Sequence, residues 1–305
     1  MSVHQLLRWA RAAYVLAWVT ACGVEQDRDT GTRASALPPS MMQPAETNAD
    51  AVPPQVPLDP STPRDTLRAV ASWPHDTAAY TQGLVVNTGR LLESTGLEGR
   101  SDVREVDRIT GRIRRRAMLP TSLFGEGIAV VEGRLYQLTW RTGRGYVYDV
   151  ATLAPIDSFT YTGEGWGLAS DGQRLYLSDG SRNIRVVSPT GFKVQRTFEV
   201  RESGQPVWML NELEWVRGEL WANVYQTDLI ARINPASGAV VGWLDAGALL
   251  SPAEKETVVK RGGVANGIAF DSARGHILVT GKRWPRLFEV DVHGLTATRA
   301  RLLNR

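Results

Sequence analysis

A pattern returns five times along this chain: Gln82-Gly83-Leu84, Glu126-Gly127-Ile128, Trp166-Gly167-Leu168, Glu212-Leu213-Glu214 and Asn266-Gly267-Ile268. Each copy is followed by a turn and a second apolar run, such as Leu91-Leu92-Glu93-Ser94-Thr95, Leu135-Tyr136-Gln137-Leu138 or Leu220-Trp221-Ala222-Asn223. By subtraction, the first residues of successive copies lie 44, 40, 46 and 54 residues apart. A unit of that length cannot bury its apolar face alone and must stack on its neighbours. A period of roughly 40–50 residues with several strands per unit is what a propeller blade requires. In a ring of blades, equivalent points converge on the axis, so the polar or aromatic residue that opens each copy belongs to one central site.

One repeat reads strand by strand. Gly83 to Val86 begins an inner strand, Thr88-Gly89 turns, and Arg90 to Thr95 returns. Val103 to Asp107 alternates apolar and polar, Thr110-Gly111 turns again, and Ile113 to Leu119 forms the outer strand. Period-two strands between Gly, Asn and Asp turns predict antiparallel meanders. The expected fold is all-β, a five-bladed β-propeller of four-stranded antiparallel blades. Ring closure is open at this level, because Leu67 to Trp73 and Ala297 to Leu303 compete for the last outer strand. The long final interval holds an insertion in which Ser251-Pro252-Ala253-Glu254 offers an N-cap, a first-turn proline and a capping glutamate. A short helix is predicted from there to about Lys260, stopping at Gly262-Gly263, either over the channel mouth or as a surface elaboration.

Ahead of the repeats, Arg8 and Arg11 precede an apolar run from Ala12 to Ala21 that ends at Cys22, the single cysteine. A basic start, a short apolar stretch and small residues form a secretory leader, and Val19-Thr20-Ala21-Cys22 resembles a bacterial lipobox. The run is shorter than the ~20 residues that span a bilayer. Residues 1–22 are therefore expected to be a lipoprotein-type signal peptide. Cys22 would be the lipidation site and membrane anchor, on the periplasmic side. Gly23 lacks the aspartate that often marks inner-membrane retention, so the outer membrane is the expected address. Residues 23–64, with Pro38-Pro39, Pro44, Pro53-Pro54, Pro57, Pro60 and Pro63 and no apolar period, read as a disordered tether. Residues 65–305 form the propeller, expected as a monomer.

The chain has 305 residues, 43% hydrophobic and 22% charged, with a net charge of +3. The basic stretch from Arg112 to Arg116 falls on an expected outer strand and no second cluster joins it, which argues against nucleic acid. His4, His75, His276 and His293 show no close pairing in sequence, and no cysteine is left in the propeller for a zinc site of the usual kind. There is no Gly-x-Ser-x-Gly elbow, Walker loop or Rossmann glycine set. What the inner positions offer is Gln82, Glu126, Trp166, Asn211 with Glu212, and Asn266, with Tyr80, Phe124, Trp140, Tyr225, Lys282 and Trp284 around them. A carboxylate walled by indoles loses hydration, which raises its pKa toward neutrality. The competing reading is that Glu126 and Glu212 bond backbone amides between blades and the tryptophans simply pack.

Read together, eight motifs stand in order: Tyr80-Thr81-Gln82-Gly83-Leu84, Glu93-Ser94-Thr95-Gly96-Leu97, Phe124-Gly125-Glu126-Gly127-Ile128, Gln137-Leu138-Thr139-Trp140, Glu164-Gly165-Trp166-Gly167-Leu168, Asn211-Glu212-Leu213-Glu214, Trp221-Ala222-Asn223-Val224 and Thr280-Gly281-Lys282-Arg283-Trp284-Pro285. The series resembles the plant and bacterial type of glutaminyl-peptide cyclotransferase over about residues 67 to 292. That family is a five-bladed propeller. The resemblance implies that N-terminal glutamine of a peptide or protein is cyclised to pyroglutamate with release of ammonia, without an organic cofactor or metal. It implies Glu126 as general base and acid and Asn211 as the group that polarises the carboxamide. Trp140 and Trp166 would wall the glutamine side chain. Gln82 would hold the amine or peptide backbone, and Lys282 would face the peptide or pair with a channel carboxylate. Tyr80, Phe124 and Tyr225 would complete the substrate cage. Tyr80 and Tyr225 depart from the pattern, standing where phenylalanine and tryptophan are expected, so hydroxyls enter the cage. The alternatives are a non-catalytic periplasmic propeller binding protein and a lactonase-like propeller with a metal held by channel carboxylates.

Overall fold

The computed structural model describes residues 56, 58–293 and 295. The leader, Cys22 and most of the segment read as a tether lie outside these residues. Among the described residues, five sheets follow one another as blades around an axis, each with its first strand innermost. The inner strands are Thr81–Asn87, Gly125–Val131, Leu168–Ser170, Leu210–Val216 and Val264–Asp271. The first blade runs on through Arg90–Thr95, Asp102–Val106 and Ile113–Met118, every pairing antiparallel. Its inner hairpin closes through Thr88 (φ 48°) and Gly89 (φ 77°), left-handed residues whose twist matches that of the strands.

Alternation along the strands leaves apolar side chains on both blade faces, and these meet in five clusters, one at each junction of neighbouring blades. Leu92 and Val103 pack on Ile128 and Leu135 between the first two blades. Leu84 and Leu91 meet Ala269, Leu278 and Leu287 where the fifth blade returns to the first. The core is thus a ring of interfaces, and no blade has a buried face without its neighbour.

The competition for the last outer strand goes to the N-terminal candidate. Ala69–Pro74 pairs antiparallel with Arg286–Asp291 and completes the fifth sheet, so an early segment zips the ring to its end. The rival, Ala297 to Leu303, lies outside the described residues. One element was not foreseen: Arg64–Thr66 adds a parallel fifth strand to the fourth blade, beside Val240–Asp245. Just before it, Pro63 O accepts from Trp243 N at 2.8 Å, and Asp59 N donates to Glu202 Oε1 at 3.2 Å. Asp59, Pro63 and Arg64, inside the segment expected as a tether, are thus hydrogen-bonded to the ring.

The predicted helix forms over Pro252–Lys260 with its capping box: Ser251 accepts from Glu254 N while the Glu254 carboxylate takes the Ser251 amide. Val258 anchors it in the core between the fourth and fifth blades. None of its residues lines the central cavity.

Candidate active site

The recurring motif is a β-bulge. Ladder register breaks between Thr81 and Gly83, Gly125 and Ile128, Leu210 and Leu213, and Ala265 and Ile268. A bulge adds a residue to one strand and re-aims its side chain. Gln82, Glu126, Asn211 and Asn266 occupy the same place in their bulges, while Trp166 stands two residues ahead of the third inner strand. This corrects the alignment of the fourth repeat by one position. The residue equivalent to Gln82 is Asn211, and Glu212 stands where the other blades have Gly83, Gly127, Gly167 and Gly267.

Those glycines sit where inner strands touch around the axis. A Cβ on Gly127 would stand 2.5 Å from Leu168 N, and one on Gly167 2.0 Å from Asn211 O. At the fourth blade the ring leaves room for a side chain, and Glu212 uses it. Its two oxygens accept from Leu84 N at 3.2 Å and Ile268 N at 2.9 Å, joining the fourth blade to the first and fifth. Asn223 Oδ1 likewise takes Gly267 N at 3.0 Å, and Asn266 Nδ2 donates to Thr81 O at 2.9 Å. For Glu212 and Asn266 the bonding role between blades holds. Trp284 is also absent from the cavity, being buried edge-on to Phe288 in the core.

The other nine candidates converge. Tyr80, Gln82, Phe124, Glu126, Trp140, Trp166, Asn211, Tyr225 and Lys282 line one cavity of about 140 Å³. Within it runs a polar chain. Lys282 Nζ donates to Thr81 O at 3.2 Å and to the carbonyl of Gln82, whose Nε2 donates to Glu126 Oε1 at 3.2 Å. With both ends engaged, the Gln82 amide has one orientation. Asn211 Oδ1 is buried with no hydrogen-bond partner among the described residues.

The walls are aromatic and held from behind. Phe124 lies edge-on to Tyr80 (6.1 Å between centroids) and tilted on Trp140 (5.5 Å), and Trp166 meets Tyr225 edge-on at 5.7 Å. The two hydroxyls that depart from the family pattern influence each other, that of Tyr225 helping to raise Tyr80 and that of Tyr80 to lower Tyr225. Lys282 Nζ is 4.8 Å from the centre of the Tyr80 ring, a cation–π contact in a buried place. Sequence reasoning missed Glu164. Its Oε2 accepts from both indoles, Trp140 Nε1 at 2.8 Å and Trp166 Nε1 at 2.9 Å, while Arg141 holds Oε1 at 3.2 Å. The available signal was a carboxylate two residues ahead of an inner tryptophan.

Burial pushes the Glu126 carboxyl well above the usual range; the charge of Lys282 pulls it back, and that of Glu164 adds to the rise. Burial pulls Lys282 down to about 7, against the upward pull of Glu126 and Glu212. The cavity therefore holds a carboxyl whose charged form is disfavoured by burial and an amine whose titration is brought down to about 7. Together with a buried amide and an aromatic wall, it has the groups to bind an amide and pass a proton across it.

A propeller with a protonatable carboxyl and an amide at its axis defines a class of enclosed, acid–base sites, and the comparisons place it more closely. The glutamine cyclotransferase family matches residues 40–292. A glutaminyl-peptide cyclotransferase of Arabidopsis thaliana is 40% identical over 246 residues, covering 79% of this chain and 75% of the relative. The crystal structure of Myxococcus xanthus glutaminyl cyclase superposes with a TM-score of 0.69 at 36% identity, covering 75% of this chain and 97% of the other. The chain belongs to the glutamine cyclotransferase family, which is a family of enzymes.

Proposed function

We propose that this cavity converts the N-terminal glutamine of a peptide or protein to pyroglutamate and ammonia, with Glu126 moving the proton. The observation that carries the reading is the Glu126 carboxyl: buried, raised in pKa, fixed by a single side-chain donor and open to the cavity. The α-amine, whose own pKa is roughly 7.7–8.0, hydrogen-bonds Glu126 and attacks the side-chain carboxamide carbon. A ring C–N bond forms, and Glu126 takes the amine proton. The same proton is returned to the amide nitrogen, the old C–N bond breaks, and ammonia leaves. Asn211 faces the carboxamide: its unpartnered Oδ1 accepts from the carboxamide N–H, and its Nδ2 donates to the oxygen, where charge can be stabilised. Trp140 and Trp166 fold the side chain toward the ring-closing pose, a proximity effect that an intramolecular reaction depends on. Gln82, held by Lys282, keeps Glu126 aligned. Tyr80, Phe124 and Tyr225 close the cage.

The full-length chain, given a short peptide beginning with glutamine, is expected to release ammonia in step with the matching mass loss, and Glu126→Gln is expected to stop it. A folded protein with no turnover above the spontaneous rate would instead be a binding propeller. For placement in the cell, we propose export and lipid attachment at Cys22, with residues 23 to about 58 as the tether. Metabolic labelling with a fatty acid, lost in Cys22→Ser, is the expected outcome.

A further inference from the structure

The end of the fifth blade away from the cavity carries a second group of side chains that the cyclase reading does not use. His276 opens the strand that Lys282 closes, so six strand steps, roughly 20 Å at about 3.3 Å each, separate the two places. His276 sits directly opposite Asp291 across the antiparallel ladder, and His293 follows two residues later. One donor atom from each of the three lies within 4.8 Å of the others.

Two further observations point to a ligand. His276 Nδ1 lies 2.8 Å from Glu289 Oε1, a buried carboxylate also held by Arg274 at 3.3 Å. That contact fixes the tautomer and leaves Nε2 as the ligand atom, the supporting bond that metal-binding histidines ordinarily make. The His293 ring, for its part, lies on Gly275 (φ 73°), where any Cβ would stand 2.7 Å from the ring. The turn is shaped around the imidazole.

We propose that His276, Asp291 and His293 form a binding site for a divalent transition metal of the zinc type, with Glu289 orienting His276. Zinc bonds of roughly 2.0–2.1 Å put tetrahedral donors about 3.3 Å apart, so donor atoms now up to 4.8 Å apart must rearrange. The Asp291 and His293 side chains, 48% and 61% exposed, have the freedom to do so, exchanging their 2.6 Å hydrogen bond for metal bonds. Arg274 and Arg217 stand nearby and oppose a dication, so the affinity is moderate. The metal would pin His293, two residues beyond the last strand, to the blade where the ring closes, a stabilising role separate from turnover.

The test is titration of the full-length chain, without a histidine tag, with zinc by calorimetry and thermal melting, and with cobalt(II) for its visible absorption. One zinc per chain, a tetrahedral cobalt spectrum and a rise in Tm of about 5 °C near saturation are expected. All three should be lost in His293→Ala, whose exposed side chain can be removed without unfolding, and in His276→Ala. Failure to bind zinc overturns the proposal. So does binding undiminished in the two variants, which would assign the metal to His4, Cys22 or another group.

Discussion

Glu126 and Glu212 occupy neighbouring positions in equivalent bulges of the second and fourth blades. Both are buried, and burial raises both carboxyls well above the ordinary range. What separates them is partnership. Glu212 spends both oxygens on backbone amides of two other blades, at a place where the ring elsewhere tolerates only glycine. Glu126 has one side-chain donor and faces open space. A perturbed pKa therefore does not by itself distinguish a reactive carboxyl from a structural one. Unspent hydrogen-bonding capacity beside a cavity does, and two substitutions can break or sharpen that distinction.

The largest effect is expected from Glu126→Gln, which keeps shape and removes proton transfer. Turnover of a glutamine peptide should fall by about 10²–10⁴, with Tm nearly unchanged because no amide loses its only acceptor. Glu212→Gln should do the reverse. An amide can accept through only one of its two ends, so one inter-blade N–H is left facing another donor, at a cost of about 1–3 kcal/mol. That corresponds to a fall in Tm of roughly 2–4 °C per kcal/mol, with turnover per folded molecule kept within a few-fold. If Glu212→Gln abolished turnover at an unchanged Tm, the assignment of Glu212 to ring closure would be wrong.

The blades were legible because strand alternation and the Gly-containing turns are local signals, and because five copies reinforce one another. The cavity was legible for a different reason: the bulge repeats, so naming one axial residue names the rest. Where reading failed, the physics was not local. Glu212 was placed in the wrong register because the fourth blade lacks the glycine that marks the bulge elsewhere, and only ladder pairing shows the shift. Arg64–Thr66 is too short to alternate, and its pairing is with a strand some 180 residues away. Glu164 carries no signal of its own; its role exists only once two indoles from different blades point at one oxygen.

Glu164 extends the comparison to a third carboxylate, one that acts on the site from behind. Glu164→Gln keeps the side-chain volume but removes the charge that both indoles point at. KM for the peptide should rise about 10-fold, the size of a charge-assisted hydrogen bond relative to a neutral one, with a smaller change in kcat. The Glu164 charge also helps to raise Glu126, so its removal lowers the Glu126 pKa. The acidic limb of the pH–rate profile should move to lower pH, a shift that mere loosening of the wall would not produce. At the other side of the cage, Tyr80→Phe removes one of the two hydroxyls and with it the lowering influence on Tyr225. A loss in kcat/KM of only a few-fold is expected, partly restored in the double variant Tyr80→Phe, Tyr225→Phe.

The smallest effect concerns His75 and Glu93, a buried pair beneath the cavity. His75 Nε2 is 2.9 Å from Glu93 Oε1, and its Nδ1 is 2.8 Å from Trp284 O. Burial alone would lower the imidazole, but the Glu93 charge and the hydrogen bonds to Glu93 and Trp284 outweigh it, and the net direction is up from 6.5. Below pH 6.5 the folded and unfolded states both hold the proton and the pair contributes fully. As pH rises past 6.5 the unfolded chain releases its proton first, so stability declines until the folded pKa is passed and then levels. Glu93 moves the opposite way, lowered on balance because His75, Arg104 and the Thr81 hydroxyl outweigh burial. Its contribution is lost only in acid, as pH falls through its depressed pKa. Denaturant midpoints measured from pH 6 to 9 should therefore show a shallow fall that is absent in His75→Gln. A wild-type slope that survives in that variant would mean the proton sits elsewhere. Because Thr81 adjoins Gln82 and donates to the same Glu93 oxygen, His75→Gln also reports whether this pair braces the cavity. A change confined to stability would leave the acid–base work with Glu126 alone.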